Sequence, residues 1–114
     1  MPNAHRGEIE GVLDGRPRTL VLTLGALAEL EHAFGASDLV ALAERFETGR
    51  LTAQDVVRII AAGLRGAGET VSDAEVGAMR ADGGAVGYAR IVSRLLAATF
   101  AGADPARPQP PQTA

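Results

Sequence analysis

Glu29 and His32, three residues apart in a helical stretch, are the nearest this chain comes to a metal-binding pair. A dinuclear carboxylate site would need a second such pair, and none exists in the sequence. His5 is the only other histidine, and neither histidine has a partner histidine at ligand spacing. The chain has no cysteine, which excludes disulfides, thiolate zinc sites and cysteine nucleophiles. Ser37, Ser72 and Ser93 are the serines. A catalytic serine needs a base held by a third group, often on a tight Gly-x-Ser-x-Gly turn, and that motif is absent. Glu29 with Glu31, and Glu44 with Glu47, are paired carboxylates of the sort used in acid–base work. Nothing around them supplies the desolvation that would separate their pKa values, so they read as solvated helix faces. Gly63, Gly66 and Gly68 mimic a phosphate loop, but they follow a helix instead of a strand and no Lys-Ser or Lys-Thr comes after them. They read as helix termination. No catalytic, cofactor-binding or metal-ligating residue is expected.

With chemistry set aside, the charge balance narrows the partners. A net charge of −3 and a pI near 5.3 give no clustered cations for a phosphate backbone, and Arg16 with Arg18 is the densest basic spot. Nucleic acid is therefore not an expected partner. No apolar run approaches the length of a membrane span and no apolar signal core follows Met1, so a cytoplasmic protein without membrane contact is expected. At 114 residues the chain is long enough for one modest core. Its 46% hydrophobic content is carried by Ala, Leu and Val, with one Tyr, three Phe and no Trp.

The elements that must position any binding surface are legible from turns and caps. Asp14-Gly15 suits a two-residue hairpin turn, in which both central positions take positive φ. Closing there sets Ile9 opposite Leu20, with Leu13 and Leu22 on the same apolar face. Glu8, Glu10 and Thr19 fall on the polar face. A lone ribbon is marginal in water, so the apolar face must lie on the helices that follow.

Thr23 predicts a helix over 24–34 with Leu24, Leu27, Leu30 and Phe34 inward, stopped by Gly35. Ser37 is the predicted cap of a second helix, 38–48, with Leu39, Leu42, Ala43 and Phe46 inward and Gly49 at its end. Thr52 with Asp55 makes a capping box for a third, 53–65, striped by Val56, Val57, Ile60 and Leu64. Ser72 with Glu75 starts a fourth, 73–81, which ends before the hinge Gly83-Gly84. The last helix, 85–101, carries Val86, Ile91, Val92, Leu95, Leu96 and Phe100, the longest apolar stripe, and is the expected centre of the core. Residues 103–114 hold four prolines and no large apolar side chain, so this tail and the first six residues are expected to be disordered. The expected fold is α+β and mostly helical: a hairpin at 7–22, then a bundle of four or five short helices, in a single domain over 7–102.

The run from Gly7 to Leu22 leads straight into Thr23-Leu24-Gly25-Ala26-Leu27-Ala28-Glu29-Leu30-Glu31. Helices separated by Gly49-Arg50-Leu51-Thr52 and Val71-Ser72-Asp73 follow. This arrangement, over roughly Arg6 to Gly102, resembles the small proteins encoded between the major tail protein and the tape-measure protein in alphaproteobacterial gene transfer agents and related siphophages. Those proteins are grouped with phage tail assembly chaperones and are sometimes described as tail tube components. The resemblance implies a non-enzymatic role in tail morphogenesis, with the tape-measure protein as partner and the major tail protein as a second candidate. It is also compatible with a homo-oligomer. Leu42, Phe46 and Ile60, on the second and third helices, are the candidate partner-binding anchors, each also suited to the core. A structural tail tube component and a small cytoplasmic regulatory or interaction module stand as alternatives.

Overall fold

The computed structural model describes residues 6–48 and 50–100. The chain forms β1 (Glu8–Leu13), β2 (Arg16–Val21), α1 (Leu24–Phe34), α2 (Leu39–Glu47), α3 (Ala53–Gly66), α4 (Asp73–Gly77) and α5 (Gly84–Phe100). This is the α+β, mostly helical fold the sequence predicts. The expected disorder of residues 1–5 and after residue 102, and the expected stop at Gly49, concern residues outside the described ones.

β1 and β2 pair antiparallel with Ile9 opposite Leu20 and Leu13 opposite Arg16, the register set by the Asp14-Gly15 turn. Both turn residues have positive φ, 55° and 73°. Ile9, Leu13, Leu20 and Leu22 are buried, so the apolar face lies on the helices as expected. Thr23 caps α1 and Gly35 ends it in the left-handed conformation. Both capping boxes form, Thr52 with Asp55 and Ser72 with Glu75.

Four expectations are corrected. The cap of α2 is Asp38 and not Ser37: its Oδ1 accepts from the Ala41 N–H at 2.8 Å, because the helix begins one residue later than predicted. The fourth helix stops at Gly77. Beyond it the chain leaves to join the hairpin tip, where the Asp14 N–H donates to the Arg80 carbonyl (2.7 Å), the Arg80 N–H donates to Asp14 Oδ1 (2.9 Å), and Leu13 bridges to Ala81. Leu24, Leu39 and Val86 face solvent. In α1 the buried stripe runs through Ala26, Leu27 and Leu30, about 110° round the helix from Leu24.

The last correction is the centre of the core, which is α3 and not α5. Ile59, Ile60, Ala61, Ala62, Gly63 and Leu64 are buried in sequence, a helix covered on nearly all sides. It lies against β2, α1, α4 and α5. Gly63 and Gly66 make this close approach possible and do not merely end a helix. A Cβ on Gly63 would stand 2.8 Å from Leu95 Cδ2 and 3.2 Å from Leu20 Cβ, and one on Gly66 only 2.0 Å from the Val21 carbonyl oxygen.

Ion pairs tie the periphery to this frame. Arg65 donates to Glu29 (2.6 Å), Asp73 (3.2 Å) and the Val71 carbonyl (3.0 Å), joining α1, α3 and the start of α4. Hydrogen bonding to Glu29, and secondarily to Asp73, raises the Arg65 pKa against the opposing effect of desolvation. Arg18 pairs with Glu69 at 2.8 Å, fastening β2 to the loop after α3.

Candidate helix-binding groove

An apolar furrow opens where α2 and α5 fail to close on one another. α2 packs on α1, and it meets α5 at one end through Phe46 and Phe100, whose ring centroids lie 6.4 Å apart. Elsewhere the facing positions carry side chains too small to bridge the gap: Ala43 on α2, and Ala89, Ser93 and Ala97 on α5. Leu51, Val56, Val92 and Leu96 form the floor. The resulting cavity is about 520 Å³.

A second apolar hollow, about 410 Å³, continues it past the N-terminal half of α5. The two share Leu51, Val56 and Ala89, and the second adds Val57, Ile60, Val76 and Tyr88. Tyr88 is fixed there by donating its hydroxyl to the Met79 carbonyl. Together the two hollows run from Ala85 to Phe100, about 22 Å along α5, the first faced by α2 and the second by α3 and α4.

The end of the furrow at Phe100 is stiffened by aromatic packing. Phe34 and Phe46 meet edge to face at 5.4 Å, and with Phe100 they line up all three phenylalanines of the chain. The Arg45 guanidinium sits 5.4 Å over the Phe34 ring and also donates to Asp55 Oδ2 and the Arg50 carbonyl. Asp55, buried in α3, accepts from the Thr52 N–H as well, so one carboxylate joins the α3 cap to α2.

Of the three residues singled out in the sequence, Phe46 opens onto the first hollow and Ile60 onto the second, both with little exposed surface. Leu42 is fully buried in the core and does not line the furrow. The lining of α5 was not singled out in the sequence, although a signal was present. Ala89, Ser93 and Ala97 recur every fourth residue on one helix face, where a core-facing helix would carry Leu or Ile. Of the residues weighed for chemistry, His5 lies outside the described ones, and of the rest only Glu47 and Ser93 line the furrow. Glu29 is engaged by Arg65, His32 is exposed, Ser72 is a cap, and Glu47 and Ser93 stand on opposite walls. Among the described residues no group of His, Asp and Glu side chains is arranged to hold a metal ion, and no helix is long and apolar enough to cross a membrane.

A hairpin seated on a central helix, with an open apolar furrow between two outer helices, defines a small α+β protein. The family model described as "Phage tail tube protein, GTA-gp10" matches residues 6–102, and the chain belongs to that family of phage and gene-transfer-agent tail proteins. No curated protein and no solved structure matches it significantly.

Proposed function

We propose that this protein is a non-enzymatic tail assembly chaperone that holds a helical segment of the tape-measure protein in the α2–α5 groove. The observation that carries the reading is the groove itself: an apolar channel about 22 Å long beside α5, faced by α2 along Ala89–Phe100 and by α3 and α4 toward Ala85, with a lining that suits one amphipathic helix. Phe46 and Ile60 are anchors in this reading, one opening onto each hollow, and Leu42 belongs to the core. Membership of a tail protein family supplies the setting.

Co-expression with the tape-measure protein of the same locus tests it. The two should copurify, the soluble yield of the tape-measure protein should rise, and the complex should persist in high salt, because apolar contacts are not screened as ion pairs are. Ala89→Arg, at an exposed position on the groove wall, should abolish copurification while leaving the melting temperature of the free protein unchanged. Failure of the wild-type protein to copurify or to raise the yield would refute the reading. The family description favours a second reading, a structural component of the tail tube. It requires the protein to remain in stoichiometric amount in finished tails, which mass spectrometry of purified particles decides.

A further inference from the structure

The two helices beside the first hollow carry opposite charge along their exposed rims. On α2, Glu44 and Glu47 stand three residues apart along the outer flank, and Glu47 lines the groove. On α5, Arg90 and Arg94 occupy the outer flank, each one residue past a groove-lining position, Ala89 and Ser93. All four are exposed. The other arginines of the folded helices, Arg45, Arg58 and Arg65, are committed to carboxylates or carbonyls within the fold. Among the described residues no such bond engages the side chains of these four.

The apolar surface also spreads onto the same two walls. Four large hydrophobic residues are exposed among those described: Leu24, Leu39, Val40 and Val86. Leu39 and Val40 precede Ala43 by four and three residues, which continues the groove face of α2 toward its N-terminus. Val86 precedes Ala89 by three and does the same for α5. Three of the four exposed hydrophobics thus extend the groove.

We propose, resting on the helix-binding reading above, that the groove takes an amphipathic helix of about four turns and fixes its direction by charge. The occupant's edge against α2 is basic and its edge against α5 is acidic. An apolar stripe alone cannot define direction, because a helix turned end for end can still present its stripe to the groove. That turn exchanges its two edges. With Glu44 and Glu47 on one wall and Arg90 and Arg94 on the other, only one direction pairs opposite charges, and the reverse sets like against like. Exposed rim charges contribute little to affinity, so this device selects orientation and leaves the strength of binding to the apolar floor. Residues 101–114 do not suit the site, since their sequence offers no apolar side chain larger than proline to fill the furrow over Ala43, Ala89, Ser93 and Ala97.

The absence of native cysteine allows a direct test. The probes are two synthetic helical peptides of about four turns with the same Leu/Ala stripe and an N-terminal cysteine. One carries Lys along its left edge and Glu along its right, and the other has the edges exchanged. Each is mixed with Ala85→Cys or Ala97→Cys protein, single cysteines at opposite ends of the groove, under mild oxidation. Each peptide should form its disulfide at one end, and the two peptides should choose opposite ends. Coupling of both peptides to the same end, or of each to both ends equally, would overturn the proposal. The quadruple variant Glu44→Gln, Glu47→Gln, Arg90→Gln, Arg94→Gln should bind both peptides within a few-fold of the parent and lose the end preference, and a preference that persists would also overturn it. If neither peptide binds, by fluorescence anisotropy, the helix-binding reading itself fails, and the charge selection fails with it. Two further outcomes overturn the proposed occupant: a free protein that sediments as a dimer dissociated by the peptides, and displacement of the peptides by a synthetic peptide of residues 101–114.

Discussion

Gly66→Ala isolates the close approach on which the fold depends. A Cβ at that position would stand 2.0 Å from the Val21 carbonyl oxygen and 3.2 Å from its carbon. Real Cβ contacts below 3.0 Å essentially do not occur, so strand and helix would have to separate by about 1 Å or more. The obstacle is backbone, which has no alternative rotamer. β2 is paired along its length to β1, and Leu20 is wholly buried against α3, so neither side moves without opening the core. Replacing a helical glycine by alanine gains at most ~1 kcal/mol, and less at the last helical residue. Overpacking a tight contact costs ~1–3 kcal/mol, with a backbone clash at the upper end. The net expectation is a loss of about 1–2 kcal/mol, a drop of roughly 5–15 °C in melting temperature for a domain of this size, read by far-ultraviolet circular dichroism. Gly25→Ala is the internal control, since its Cβ would meet nothing closer than Thr23 Oγ1 at 3.9 Å and should raise the melting temperature slightly. A Gly66→Ala protein as stable as the parent would refute the argument that α3 and β2 are held in contact by this glycine.

Asp38→Ala should destabilise by ~1 kcal/mol in urea denaturation because it removes the α2 cap, whereas Ser37→Ala should be close to neutral; the reverse order would restore Ser37 as the cap. Leu95→Ala should cost ~2–5 kcal/mol by the same measurement, since Leu95 is fully buried and its Cδ2 fills the space over Gly63. A near-neutral result would mean that the cavity collapses and that α5 packs less tightly than described.

Local chemistry made much of this fold legible. Asp14-Gly15 has one favoured turn, and that turn determines which side chains of the ribbon face inward. Thr23, Thr52 and Ser72 announce helix starts because their hydroxyls satisfy N–H groups that would otherwise be left without partners. Where two adequate caps stand side by side, as Ser37 and Asp38 do, the choice depends on how α2 packs on α1, and sequence spacing does not report it. The early end of α4 depends on Asp14, a residue 66 positions away from Arg80. The central place of α3 was hidden by its composition. Ala61, Ala62 and Gly63 look like weak core residues, yet their small size is what lets a helix be covered on several sides. The groove was hidden for the opposite reason, because alanines facing one another across a gap cannot be told in sequence from alanines facing water.

A ribbon of two strands has two outer edges, and either one could in principle accept a third strand. In this hairpin the pairs flanking the two-residue turn alternate between hydrogen-bonded and outward-facing, so Pro17, Thr19 and Val21 present the outer edge of β2. Pro17 has no N–H to offer, and Gly66 covers the Val21 carbonyl. On the other side, Ala81 already occupies the end of β1 beside Leu13. An incoming strand would find only short stretches of pairable backbone before meeting an obstruction, which makes the hairpin a poor template for sheet extension. Pairing of a third strand is therefore interrupted at Pro17 and Val21 on β2 and beside Leu13 on β1, which limits any added ladder to a few residues.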